Sequence, residues 1–255
     1  MVNAAPKLSA GVRRILGVDF FAGTTEEALK KSLPGGLVVV PAAPALVEMV
    51  TDEAYREALL RADLVLTDSG FMVLIWNWLT GDHLRRVSGL EYLKLLLDHP
   101  SLGQPDDVLW VMPSAAARDK NLAWLRSRGL NFSVEHCYLA PLYPRNQVED
   151  PALVALINER RPRHVIVGLG GGVQEKLGLY LKRNCHYLPA IHCIGAAIGF
   201  LSGDQVSIPD WADRWFLGWL LRCTSQPRRF IPRYWRALRL APMLIRYRER
   251  SPCAP

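Results

Sequence analysis

Short apolar runs alternate along this chain with longer stretches in which apolar positions recur every three or four residues. The short runs read as buried strands and the longer ones as amphipathic helices. "ILGVDF" (15–20) precedes "TTEEALKKSL" (24–33), where Thr24 or Thr25 caps a helix start rich in Glu. "GLVVVPA" (36–42) leads to the amphipathic "PALVEMVTDEAYREALLRA" (44–62), and "DLVLTD" (63–68) leads to "SGFMVLIWNWLTG" (69–81). Ser88 caps "GLEYLKLLLDH" (89–99). "DVLWVM" (107–112) is followed by "SAAARDKNLAWLRSRG" (114–129), which stops at Gly129 as a helix should. "FSVEHCYLA" (132–140), "HVIVGLG" (164–170) and "AIHCIGAA" (190–197) complete the strands. Helices "DPALVALINERRP" (150–162) and "GGVQEKLGLYLKR" (171–183) lie between them.

This alternation predicts an α/β fold, a mostly parallel sheet with helices on both faces. Such sheets bind ligands beyond the carboxyl ends of their strands. That directs attention to Thr67 and Asp68, Pro113 and Ser114, the run from Gly168 to Gln174, and Gly195 to Ala197. Near Pro209 the pattern changes. Trp211, Trp215 and Trp219 fall at i, i+4 and i+8, one helical stripe, and an arginine-rich stretch punctuated by Pro227, Pro232 and Pro242 follows. The predicted organisation is a sheet-and-helix domain over 1–208 and a C-terminal basic helical appendage over 209–255.

Half of the 255 residues are apolar and 22% are charged, a globular composition. The net charge of +7 calls for an anionic partner: nucleotide, nucleic acid or acidic membrane surface. The excess sits at the end, where the arginines from Arg222 to Arg250 meet a single acid, Glu249. Five scattered cysteines argue against a disulfide framework and for a reducing compartment. The opening residues hold no apolar run of signal-peptide length. "GFMVLIWNWL" (70–79) falls short of the roughly 18 apolar residues of a spanning helix and is broken by Asn77. A protein that does not span a membrane is expected, though it can lie on one.

The glycines of "VGLGGGVQEK" match neither standard phosphate loop. Gly168 and Gly170 are followed by Val173 where a dinucleotide fingerprint has its third glycine, and no Gly-Lys-Ser/Thr is present. A tight strand-to-helix turn and a nucleotide diphosphate site of another type both remain open on these residues alone.

The ordered set "ADLVLTDSG", "RRVSGLEYLKLLL", "VGLGGGVQEK" and "WLLRCTSQPRRF" resembles the bacterial WecG/TagA/CpsF glycosyltransferases, from about Ile15 to about Tyr234. The resemblance implies a Rossmann-like enzyme whose helical appendage helps close the active site. It implies sugar transfer from a UDP-sugar to a polyprenyl-diphosphate-linked acceptor at the cytoplasmic membrane face, with inversion and without a required metal or other cofactor. By motif match Asp68 is the catalytic base, Arg86 an active-site arginine and Gln174 a nucleotide contact. Arg222 and Arg229 fall on appendage arginines near the diphosphate.

The chemistry of these residues agrees. An inverting transfer needs one carboxylate to deprotonate the acceptor hydroxyl, a role for Asp68, which otherwise caps the next helix. No Asp-x-Asp metal motif occurs, and guanidinium groups can replace the metal on a leaving diphosphate. Arg222, Arg228, Arg229 and Arg233 are close enough in sequence for some to converge there. Gly170 and Gly171, with Gln174 at the following helix start, suit the nucleotide, here uridine diphosphate. Arg236 to Arg250 read as a solvated basic face that meets anionic headgroups. Glu175 and Lys176 read as a helix-surface pair, with Lys176 left open as a site residue, and Trp211, Trp215, Trp219 and Trp235 as core or interfacial packing. In "CHYLPAIHC", Cys185-His186 and His192-Cys193 also read as packing, because adjacent strand residues face opposite sides and chelate poorly.

The sequence departs from the family pattern in places. Val40, Pro41 and Ala42 stand where a threonine and an asparagine usually end the second strand beside the sugar, so the donor sugar is left open. Ser69 stands for a glycine and Pro232 for a common arginine. Homo-oligomerisation is likewise left open. A nucleic-acid-binding module using the basic tail is the alternative from another class. With the resemblance, nucleic acid is not among the expected partners, and the incomplete fingerprint disfavours an NAD-dependent oxidoreductase.

Overall fold

The computed structural model describes residues 11–144, 147–195, 197–205 and 218–253, with the side chain of Arg229 also outside the described set. Eight strands form one sheet in the order β1-β2-β4-β3-β8-β7-β5-β6. They are β1 (Val12–Ile15), β2 (Val18–Phe21), β3 (Gly36–Val39), β4 (Leu64–Val65), β5 (Val108–Met112), β6 (Cys137–Leu139), β7 (His164–Val167) and β8 (Ala190–Cys193). Every pair except β1–β2 is parallel. The α/β sheet read from the alternation, with the Rossmann-like design that the resemblance implies, is therefore the fold of the chain.

The sequence reading of 15–20 as one strand is corrected. Leu16 and Gly17 both take positive φ, +52° and +81°, and turn the run into a hairpin whose first arm is the antiparallel edge. The apolar pattern did not show this, because Leu16 is itself buried.

On one face lie α2 (Ala43–Glu48), α3 (Glu53–Arg61), α4 (Gly70–Thr80), α7 (Pro151–Arg160) and α8 (Val173–Asn184). On the other lie α1 (Thr25–Ser32), α5 (Gly89–Asp98), α6 (Ala115–Ser127) and α9 (Ala197–Ser202). Thr24 caps α1 with a reciprocal Thr24–Glu27 box, as its sequence suggests. The amphipathic stretch 44–62 is two helices rather than one: α2 ends at Glu48, and Asp52 starts α3 by accepting the Tyr55 N–H at 2.9 Å.

Beyond the sheet come α10 (Gly218–Ser225), α11 (Pro227–Ala237) and α12 (Leu240–Tyr247). The boundary expected at 208/209, with Trp211 and Trp215, lies outside the described residues. The appendage is not a loose tail. Leu240 and Leu244 are fully buried in the core of the first face. Past α12, the carbonyls of Arg248 and Glu249 accept the Leu16 and Gly17 N–H groups at 2.7 and 3.1 Å. The chain thus closes back onto the β1–β2 turn, while Arg236, Arg239, Arg246, Arg248 and Arg250 stay exposed.

Candidate active site

α2 follows β3 on one face and α9 follows β8 on the other, so the β3–β8 boundary is where the winding reverses. Open sheets leave a crevice at such a point. Here it is a cavity of about 880 Å³, lined from the ends of β3, β4, β5, β7 and β8 and covered by α10 and α11. That volume is within the range of small-ligand and cofactor sites.

The β4 side is organised by Thr67. Its buried hydroxyl donates to the Arg85 carbonyl at 2.7 Å and accepts the Val87 N–H at 3.0 Å, pinning the loop before α5. Arg86 is thereby turned back onto Asp68. Its Nε–H donates to the Asp68 main-chain carbonyl at 2.7 Å, and its Nη2 lies 3.6 Å from Asp68 Oδ1. Oδ1 also accepts the Gly89 N–H at 2.9 Å, while Oδ2 accepts no hydrogen bond among the described residues. Asp68 does not cap the next helix. Ser69 does, accepting the Met72 N–H at 3.2 Å.

The β7 side is the glycine loop. Gly170 and Gly171 line the cavity, and Gly172, at φ +91°, donates its N–H to Glu175 Oε2 at 2.7 Å. Gln174 also lines the cavity, with its amide committed to the scaffold. Its Oε1 accepts the Gly195 N–H at 2.6 Å and its Nε2 donates to Glu175 Oε1 at 3.1 Å, joining the loops after β7 and β8. The reading of Glu175 and Lys176 as a surface pair is corrected. α8 is packed between the sheet and α3, and both residues are buried. Lys176 pairs instead with Asp52 at 2.8 Å. Burial pushes the Glu175 carboxyl above the ordinary range, against the hydrogen bonds from Gln174 and Gly172.

The appendage supplies positive charge. The Arg222 guanidinium lies 4.3 Å from the Phe200 ring centroid and 5.9 Å from that of Phe230, and its Nη1 donates to the Tyr234 hydroxyl at 3.3 Å. Its Nε is buried without a hydrogen-bond partner among the described residues. Arg233 also lines the cavity, with Nη2 3.9 Å from where a side chain on Gly171 would begin. Arg228, expected in the site, is instead exposed and is not part of the lining. Arg229 cannot be located in it, its side chain being outside the described residues.

Asp68, Arg86, Gln174 and Arg222 therefore share one hollow with the glycine loop. Sequence reasoning missed Phe200 and treated Trp219 and Trp235 as packing, whereas both tryptophans line the mouth and Trp235 is 74% exposed. The signal for Arg233 was its position beside Pro232, where an arginine is common. In "CHYLPAIHC", His192 and Cys193 point to opposite faces. His192 meets Tyr92 and His164, and Cys193 Sγ donates to the Gln174 carbonyl at 3.1 Å. Among the described residues no group of three or more His, Cys, Asp or Glu side chains is placed to hold a metal ion.

A parallel sheet with its cavity at a reversal of winding, roofed by a basic helical segment, defines an α/β ligand-binding protein of Rossmann-like design. The chain belongs to the glycosyl transferase WecG/TagA/CpsF family, whose model matches residues 13–253, nearly all of it. Comparison with curated proteins finds no match. The protein is accordingly a glycosyltransferase with a role in surface polysaccharide biosynthesis. Its family works in general with a sugar-nucleotide donor and a lipid-linked acceptor. No helix among the described residues is long and apolar enough to cross a membrane.

Proposed function

We propose that this protein transfers a sugar from a UDP-sugar, with inversion, to a polyprenyl-diphosphate-linked acceptor at the cytoplasmic face of a bacterial membrane. Asp68 takes the proton of the acceptor hydroxyl as that oxygen attacks the anomeric carbon. The bond from that carbon to the diphosphate breaks on the opposite side, and UDP leaves as an anion that needs neutralising charge more than a proton. Arg222 and Arg233 supply it, with Arg229 on the same helix as Arg233, and Gly170 and Gly171 let the main chain approach the phosphates. Arg86 orients the Asp68 carboxylate and faces the donor, while Gln174 holds the two loops that shape the nucleotide end. The scheme runs on guanidinium charge, and no step in it is routed through a metal.

The observation that carries this reading is the meeting of Asp68 and Arg222 in one cavity, with the Arg222 Nε buried and, among the described residues, without a hydrogen-bond partner. A buried cationic donor left without a partner costs stability unless an anion completes it. The lipid-linked acceptor and membrane contact are supported by the cavity mouth. Leu74, Ile231, Trp235 and Leu238 are exposed there, with Arg228, Arg236 and Arg239 exposed alongside.

Calorimetric titration with UDP and with an oligonucleotide, both at physiological salt, tests the reading. Saturable UDP binding that weakens at least tenfold in Arg222→Ala is the expected result. Oligonucleotide binding without UDP binding would replace the reading with the nucleic-acid module.

A further inference from the structure

The loops after β7 and β8 each turn on a glycine at positive φ, Gly172 at +91° and Gly195 at +62°. Glycine enters this region freely and loses more conformational freedom than any other residue when it is held there, so such a loop needs an outside brace. One relay braces both. The Gly172 N–H donates to Glu175 Oε2 at 2.7 Å, and Gln174 Nε2 donates to Glu175 Oε1 at 3.1 Å. Gln174 Oε1 in turn accepts the Gly195 N–H at 2.6 Å. Glu175 is the centre of this relay, because each of its two oxygens receives one N–H.

Local sequence accounts for the burial of that carboxyl. Glu175 and Gly178 are three residues apart and share one face of α8. A Cβ at Gly178 would meet Cys193 Sγ and Leu37 Cδ1 at 2.6 Å, so only glycine lets this face lie flush on β8 and β3. Glu175 is carried to full burial with it, beside the fully buried Tyr55 of α3. A carboxyl buried to that extent is costly unless its oxygens are hydrogen-bonded, and the relay supplies those bonds. The connection also extends beyond Gly195. α9 starts two residues on, at Ala197, and carries Phe200, whose ring centroid is 4.3 Å from the Arg222 guanidinium. The glycine loop and the aromatic seat of Arg222 therefore hang on one carboxyl group.

We propose that Glu175 is a positioning residue for the nucleotide diphosphate: it sets the glycine loop and, through Gln174, Gly195 and Phe200, the seat of Arg222 as one unit, so that both meet the same ligand. The proposal rests on the donor reading above and deepens it. Glu175 acts through Arg222 and the loop rather than on the reacting atoms.

A double-mutant cycle on UDP affinity, measured by calorimetry, tests it. Glu175→Gln presents one oxygen and one NH2 group where two N–H groups point, so one link of the relay is lost. UDP should bind about tenfold more weakly to Glu175→Gln, the effect of one lost hydrogen bond. The same change made in Arg222→Ala should cost no more than about threefold, because the arginine that Glu175 positions is gone. A merely structural role would lower the melting temperature and cost the same factor in both backgrounds. Glu175→Met, an apolar side chain of similar length, repeats the cycle if the amide variant does not fold. Equal factors in the two backgrounds overturn the proposal, as does unchanged affinity in Glu175→Gln or failure of both variants to fold. Absence of UDP binding by the unaltered protein would overturn the donor reading instead, so the two failures are distinguishable.

Discussion

Arg86 and Asp68 are joined twice, by the 2.7 Å bond from the arginine Nε to the aspartate main-chain carbonyl and by the 3.6 Å approach of Nη2 to the carboxylate. The first contact fixes the guanidinium whatever the charge on the side chain, so the pair can be altered at the carboxylate without moving the arginine. Asp68→Asn keeps an oxygen for the Gly89 N–H and removes only the basic site. Turnover should fall about 10²- to 10⁴-fold, the range of a lost general base. UDP affinity should stay within twofold, and the melting temperature within about a degree. Steady-state kinetics, calorimetry and thermal unfolding on one preparation check all three, and normal turnover would remove Asp68 from the mechanism.

Among the described residues Arg222 is held by aromatic faces rather than by a carboxylate, with Phe200 at 4.3 Å and Phe230 at 5.9 Å. Among the described residues its hydrogen-bond acceptor is the Tyr234 hydroxyl, which leaves its other donors for a ligand, and a lysine cannot reproduce the planar fork. Arg222→Lys should lower kcat/KM at least tenfold with little change in melting temperature. Phe200→Leu should lower it several-fold by freeing the guanidinium. If Arg222→Lys is fully active, bidentate recognition at this position is wrong.

The strand–helix alternation and the positions after each strand were legible in the sequence because a parallel sheet buries both faces and its strands read as continuous apolar runs. Asp68, Arg86, Gln174 and Arg222, which line one cavity, were singled out for that reason and by motif. The hairpin at Leu16–Gly17 was not, since a buried leucine at positive φ leaves no mark in the hydrophobic pattern. Nor was the burial of Glu175 and Lys176. Both are charged residues near a helix start, and only the packing of α3 across α8, with Asp52 in reach of Lys176, takes them out of solvent. Arg228 and Arg233 illustrate the same limit. Their order in the chain is plain, but which one faces the glycine loop depends on how α11 is rotated against α2.

The end of the chain returns to the β1–β2 turn through the Leu16–Arg248 and Gly17–Glu249 main-chain bonds, at 2.7 and 3.1 Å. Deleting residues 248–255 removes both acceptors but keeps Leu240 and Leu244, which bury α12 against the core. Two hydrogen bonds are worth about 1 kcal/mol each, so the truncated protein should fold with a melting temperature lower by a few degrees. The roof carried by α10 and α11 loses its far anchor, and the dissociation constant for UDP should rise at least fivefold. Calorimetry on the truncated and full chains tests this, and unchanged affinity would mean that the roof holds its place without the latch.

Beneath the sheet, buried His164 Nδ1 and His192 Nε2 are 3.1 Å apart, His192 Nδ1 meets the Tyr92 hydroxyl at 2.8 Å, and that hydroxyl donates to Ser32 Oγ at 2.7 Å. Burial is the main reason that both imidazoles are held neutral. His164 is pushed down to about 4, with Arg163 adding to the shift, and His192 to about 3, with His164 adding to it. In the unfolded chain both titrate near 6.5. As pH falls below about 6.5 the unfolded chain binds protons that the folded protein refuses, so stability is lost on acidification down to the folded values and is unaffected by this pair at higher pH. Two such protons give a slope approaching about 2.7 kcal/mol per pH unit in that window. His192→Gln removes one proton-binding site and keeps a hydrogen-bonding side chain in the chain of contacts. The variant should be less stable at neutral pH, and its stability should fall with a visibly shallower slope between pH 6 and pH 4.5. Urea unfolding of both proteins across that range measures the two slopes, and identical slopes would show that His192 takes no part in the acid response.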